Sequence, residues 1–171
     1  MSITSKVKII LSFLIFFVSN VNGQGFRNYP WGTSKSKIIQ EDGAGTSDKY
    51  GISYKKLPID GIYADHTTFF YFDDAGLLRS GGYSFKFKTE EERNLVFKKM
   101  VSLYGEPKKG VLNVFWPYEM GFSDPRYVWQ TNDSVILLSD EGLPAHSSTF
   151  IVQYYEGIFF QKLYKKSKAG L

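Results

Sequence analysis

The stretch TEEERNLVFKKMVSLYGEP, residues 89–107, decides how the rest of the chain is read, because both ends of a helix are written into it. Thr89 can accept from the first free N–H groups, and Glu92, three residues on, can reach back to complete a capping box. Val96, Met100, Leu103 and Tyr104 follow at i, i+4, i+7 and i+8, with Phe97 and Val101 on the flank, giving one broad apolar stripe. Lys98, Lys99 and Ser102 fall on the other side. Gly105 suits the left-handed position past the last turn, and Pro107 forbids continuation.

Almost everything around this helix has the pattern of strands. Just before it, Tyr83, Phe85 and Phe87 alternate with Ser84, Lys86 and Lys88, so residues 77–88 have one dry face and one wet face. Asp73-Asp74-Ala75-Gly76 is a turn, and the run TTFFYF at 67–72 is the strand on its far side. Shorter strands are predicted at 53–57 and 61–64. They follow a flexible loop at 43–48 and a helix capped by Thr33 or Ser34, which runs through Ile38 and Ile39 to Asp42-Gly43. Beyond Pro107, strands are predicted at 111–116, 127–131, 134–139 and 148–156. At 157–166, Phe159 with Leu163 and Phe160 with Tyr164 make i, i+4 pairs on a closing helix. Residues 30–88 and 89–156 therefore share an outline, a capped helix and then a meander, with FYFDDAGLL in one half matching VWQTNDSVI in the other. The grouping predicts an α+β fold, with antiparallel sheet packed on helices, as one domain over 24–171 built from two similar helix-plus-meander units.

The ends of the chain set its expected location. Lys6 and Lys8 precede residues 9–18, which are apolar except for Ser12, and Val21 and Gly23 suit the −3 and −1 positions of a signal-peptidase site. That apolar run is about half of the roughly 20 residues a spanning helix needs. Residues 1–23 are accordingly read as a signal peptide cleaved after Gly23. The product is then periplasmic or secreted, with no transmembrane segment. The chain has no cysteine, so it relies on packing rather than disulfides and offers no thiol for a lipoprotein anchor. Of 21 basic and 17 acidic residues, Lys6 and Lys8 leave with the signal and Lys162, Lys165, Lys166 and Lys168 crowd the end. Residues 24–161 hold 15 basic against 17 acidic side chains, which is no footprint for nucleic acid.

YPWGTSKSKI, FYFDDAGLL and LYGEP resemble the landmarks of small exported bacterial proteins of unknown role, which open on a W-G-x-S helix and carry a later Y-G-x-P helix end. The layout is also similar to tandem units of the β-lactamase-inhibitor-protein type, in which a helical hairpin packs on a four-stranded antiparallel sheet. What that resemblance implies is protein binding or envelope assembly through a sheet face rather than catalysis. The absence of cysteine departs from the lipoprotein members, so an outer-membrane anchoring role is not implied.

Catalytic chemistry has few residues to use. No serine sits in a G-x-S-x-G elbow, and the only histidines are His66, next to Asp65, and His146. Asp65, His66 and His146 are the candidates for a small secreted hydrolase, since a triad is defined by geometry and not by order. Both histidines also read as ordinary loop residues. No metal ligand set and no cofactor motif is evident: DDAG lacks the alternating ligands of a calcium loop and reads as a hairpin turn. The distinctive feature is aromatic content, 15 Phe, 12 Tyr and 3 Trp. It peaks in WPYEMGFSDPRYVW at 116–129, where Trp116, Tyr118, Met120, Phe122, Arg126 and Tyr127 are residue types enriched at interface centres. These rings either cap the end of the sheet or form a recognition loop. The expectation is an exported, non-enzymatic binding protein with a protein or envelope partner. The alternatives are the hydrolase and a purely structural envelope protein.

Overall fold

The computed structural model describes residues 25–49, 51–109, 127–141 and 149–169; residues 1–23, expected to be a signal peptide, and the strand expected at 111–116 lie outside the described residues. A small hairpin, β1 (Gly25–Phe26) and β2 (Tyr29–Pro30), comes first. Then follow α1 (Lys35–Asp42), β3 (Thr46–Ser47), β4 (Gly51–Lys55), β5 (Asp65–Phe72) and β6 (Leu78–Lys86). The second run is α2 (Glu90–Tyr104), β7 (Lys108–Lys109), β8 (Tyr127–Gln130), β9 (Ser134–Glu141), β10 (Thr149–Glu156) and α3 (Gly157–Ala169). Eight strands make one antiparallel sheet in the order β3-β4-β5-β6-β10-β9-β8-β7. Each run of four strands starts at an edge and ends at the middle, where β6 pairs with β10 from Thr149↔Lys86 to Tyr155↔Ser80. The fold is α+β, as the sequence predicts.

Both central helices are held by the same local chemistry. Thr89 Oγ1 accepts the Glu92 N–H of α2 at 3.3 Å, and the Glu92 carboxylate reaches back to the Lys88 N–H at 2.8 Å, one residue earlier than a standard capping box. Ser34 Oγ accepts the Lys37 N–H of α1 at 3.3 Å. At the other ends Gly43 (φ 88°) donates to the Ile39 carbonyl and Gly105 (φ 79°) to that of Val101, a backbone conformation that side chains disfavour. An aromatic from the second strand of each meander then reaches the capping glycine. Tyr54 Oη donates to the Gly43 carbonyl, and Trp129 Nε1 to the Gly105 carbonyl, each at 2.7 Å. Carbonyls at a helix end lack partners within the helix, so each bond satisfies one and fixes the helix to its sheet.

Strand alternation sorts the sheet into two faces. Ile52, Tyr54, Phe70, Phe85, Val152 and Leu138 share one face, where they meet Ile38 of α1, Val96 and Met100 of α2, and Phe26 of β1 in the main core. On the other face Val135, Leu137 and Tyr155 pack on Phe160 of α3, with Tyr71, Val128, Phe159 and Leu163 at the edge of the cluster. Leu103, expected in the α2 stripe, is 41 % exposed because the buried arc of the helix centres on Met100 and Tyr104. The 61–64 segment is not a strand. Pro58, Asp60 and Gly61 turn the chain, and Ile62 donates back to the Ile59 carbonyl. The 43–48 segment, expected to be only loop, includes edge strand β3.

Two adjacent glycines in β6 occupy the middle of the sheet. Gly81 faces the main core, where a Cβ would collide with the Phe26 ring, and Gly82 faces the opposite side, where it would meet the Phe69 ring and the Val152 carbonyl. Phe26 in turn contacts Phe70, Tyr83 and Tyr154 at centroid distances of 5.2, 5.1 and 5.2 Å. The small residue is therefore required by space rather than by dihedral angle. Gly81→Ala is expected to lower unfolding stability in urea by about 1–3 kcal/mol, the usual cost of overpacking. Combining it with Phe26→Leu should cost less than the sum of the two single changes, and strict additivity would contradict this packing.

Candidate functional site

The residues singled out by sequence take the following places. Asp65 opens β5 with its carboxylate 3.3 Å from Lys56 Nζ. His66 Nδ1 lies 2.9 Å from the Ala64 carbonyl and Nε2 2.7 Å from the Leu57 carbonyl. Each ring nitrogen thus lies against a backbone carbonyl, and the ring braces the 56–64 loop against Tyr83 and Phe85. Among the described residues the partners of the two nitrogens are these carbonyls and not a hydroxyl whose proton a base would take. Tyr127 is half-buried on the helix side of β8, 4.9 Å from the Phe97 ring and 6.4 Å from Trp129. Trp116, Tyr118, Met120, Phe122, Arg126 and His146 lie outside the described residues. Among the described residues no group of three or more His, Asp or Glu is placed to hold a metal ion, and no helix is long and apolar enough to cross a membrane.

A cleft that sequence reading missed opens at one end of the sheet, where the two runs of strands come together. Its walls are Trp31, just after β2, the β8–β9 turn over Gln130, Asn132 and Asp133, and the start of α3 up to Gln161, around a volume of about 370 Å³. Trp31 Nε1 donates to Ser134 Oγ at 3.0 Å, and Ser134 Oγ lies 3.2 Å from Asp133 Oδ1, so a relay of hydrogen bonds sets the angle of the indole. Arg79, outside the lining, holds Glu156 from behind the cleft. Its Nε donates to Asp73 Oδ2 at 2.8 Å and its Nη1 to both Glu156 oxygens at 2.9 and 3.0 Å, with all three side chains about a quarter exposed. Burial pushes the Asp73 carboxyl up, but the Leu77 and Ala75 N–H groups and the Arg79 guanidinium outweigh it and hold Asp73 below the usual carboxylate range. No single motif marks the cleft, because its residues come from three separate segments, at Trp31, at 130–135 and at 156–161.

The second feature is the part of the α3-side face that α3 does not reach. Lys55, Thr67, Ser84 and Ile151 stand in one row across β4, β5, β6 and β10, with Phe69 in the next row. Phe69 and Ile151 are only partly buried, and neither belongs to either apolar cluster.

The sheet holds many of its tyrosines neutral. Burial raises Tyr71 to about 12, helped by the Asp48 charge, and raises Tyr83 to about 12 against the pull of Arg27. Tyr154 and Tyr155 are pushed well above their ordinary value by the same cause. Each contributes stability that is complete below pH 10, where the unfolded phenol titrates, and that is lost as pH rises through the folded values. Tyrosinate absorbance from these residues should therefore appear together with loss of ellipticity between pH 10 and 12. Titration of all the tyrosines near pH 10 in a still-folded chain would contradict their burial.

No protein-family model, no curated protein and no solved structure matches the chain.

Proposed function

We propose that this chain is an exported, non-enzymatic binding protein of the bacterial envelope, which holds a protein or another envelope component against its sheet surface and its aromatic 116–127 segment. The observation that carries the reading is the stretch of the α3-side face from β4 to β10, where Phe69 and Ile151 are partly exposed without belonging to either core. Ile151 shares a row with Ser84, Thr67 and Lys55, and Phe69 stands one row on beside Gly82, so the face mixes partly exposed apolar and polar side chains as an interface does. The other face is filled by α1, α2 and β1, so a partner has one side to approach. The signal-like N-terminus supports an envelope location, and the likeness in layout to β-lactamase-inhibitor-type units supports binding through a sheet.

Two substitutions separate docking from folding. Ile151→Arg and Thr67→Arg place charge on the row without entering either core. The melting temperature should stay within a few degrees, as expected for surface positions, while recovery of a partner from envelope extract should fall by about tenfold or more. Equal recovery of the same partner by wild type and both folded variants would remove the sheet face from the proposal.

A further inference from the structure

We infer that the cleft between Trp31, the β8–β9 turn and α3 is a binding site for a neutral saccharide, distinct from the sheet face. The argument begins with what lines it. Among the described residues no lysine or arginine lines the wall, while Asp133 and Glu156 do, so phosphate and carboxylate ligands are disfavoured by like charge. Neither carboxylate invites a cation either. Both Glu156 oxygens are taken by Arg79, and Asp133 Oδ1 is approached by the Ser134 and Thr131 hydroxyls. The most exposed polar side chains of the lining are the amides of Gln130, Asn132 and Gln161, with the exposed Ile158 adding an apolar side chain beside them.

An amide side chain offers one acceptor and two donors in a plane, which matches hydroxyl groups that must both give and receive. The Trp31 indole is half-buried, packs against the main core and is oriented by its bond to Ser134. A fixed aromatic surface beside exposed amides presents an apolar plane next to hydrogen-bonding groups. The C–H face and the hydroxyl rim of a pyranose are complementary to that pair. The volume of about 370 Å³ lies within the range of small-ligand pockets. The cleft shares no residue with the Lys55–Ile151 row, so the two sites succeed or fail separately.

The test is a titration of the purified, isotope-labelled protein, followed through the Trp31 indole N–H resonance, which is assigned with Trp31→Phe. The probes are chitotriose and maltotriose as neutral saccharides, a Gly-Lys-Gly peptide as a cation and sodium phosphate as an anion. A saturable shift of Trp31 with either saccharide, and none of the Trp129 resonance, is the expected result. Asn132→Ala with Gln161→Ala, both exposed, should weaken binding by about tenfold, the scale of two neutral hydrogen bonds, with unchanged melting. Three results would overturn the site: no shift with either saccharide at millimolar concentration, a shift only with peptide or phosphate, or full affinity in the folded double variant. None of them bears on the sheet face.

Discussion

The antiparallel pairing of β6 with β10 is the constraint on which the rest of this structure depends. Among the described residues it is the one seam of strand pairing that joins two runs of four strands, which would otherwise be separate sheets, each with two edges. A four-stranded sheet with one helix is a marginal unit. Joining the two runs hides two edges at once and makes a face wide enough to bury Phe26, Phe70, Tyr154 and Val152 together. Burying a side chain of this size is worth about 1.5–3 kcal/mol, so the rings stacked around the seam outweigh any single ion pair on the surface. Gly81 and Gly82 make the seam possible by letting one ring lie on each side of the sheet at its centre.

Around that seam the two halves use one device. A hydroxyl-capped helix ends on a glycine, and an aromatic from the second strand donates to that glycine's carbonyl, Tyr54 for α1 and Trp129 for α2. Both helices therefore sit on the same face of the sheet, and that choice determines where function can reside. One face is spent on packing. Among the described residues, the surfaces that these helices leave uncovered include the strip of the other face beyond α3 and the end of the sheet where Arg79 draws Asp73 and Glu156 together.

Much of this could be read from residue order alone, and the parts that could not share a cause. Local signals were sufficient for α1 and α2, because the caps at Ser34, Thr89, Gly43 and Gly105 act within a few residues. The alternation of Tyr83 and Phe85 placed β6 correctly, and the Asp73–Gly76 turn formed as Asp-Gly chemistry requires, with Asp73 Oδ1 accepting from Ala75 and Leu77. Phe26 carries no local signal of its burial, which depends on Gly81, 55 residues away. The surroundings of His66 are equally hidden from sequence, because its carbonyl partners Leu57 and Ala64 flank a turn where the pattern predicts strands at 53–57 and 61–64. The cleft was invisible for the same reason: Trp31 and Ser134 are 103 residues apart and meet only once the seam has formed.

The account predicts that the sheet is a single cooperative unit, and native-state hydrogen exchange tests that most directly. The backbone amides of β5, β6, β10 and β9 should open with one common free energy equal to that of global unfolding, since no smaller opening exposes the β6–β10 pairs without breaking the shared core. Two separate plateaus, one for β4–β6 and a different one for β8–β10, would show that the halves unfold independently and would contradict the role given to the seam.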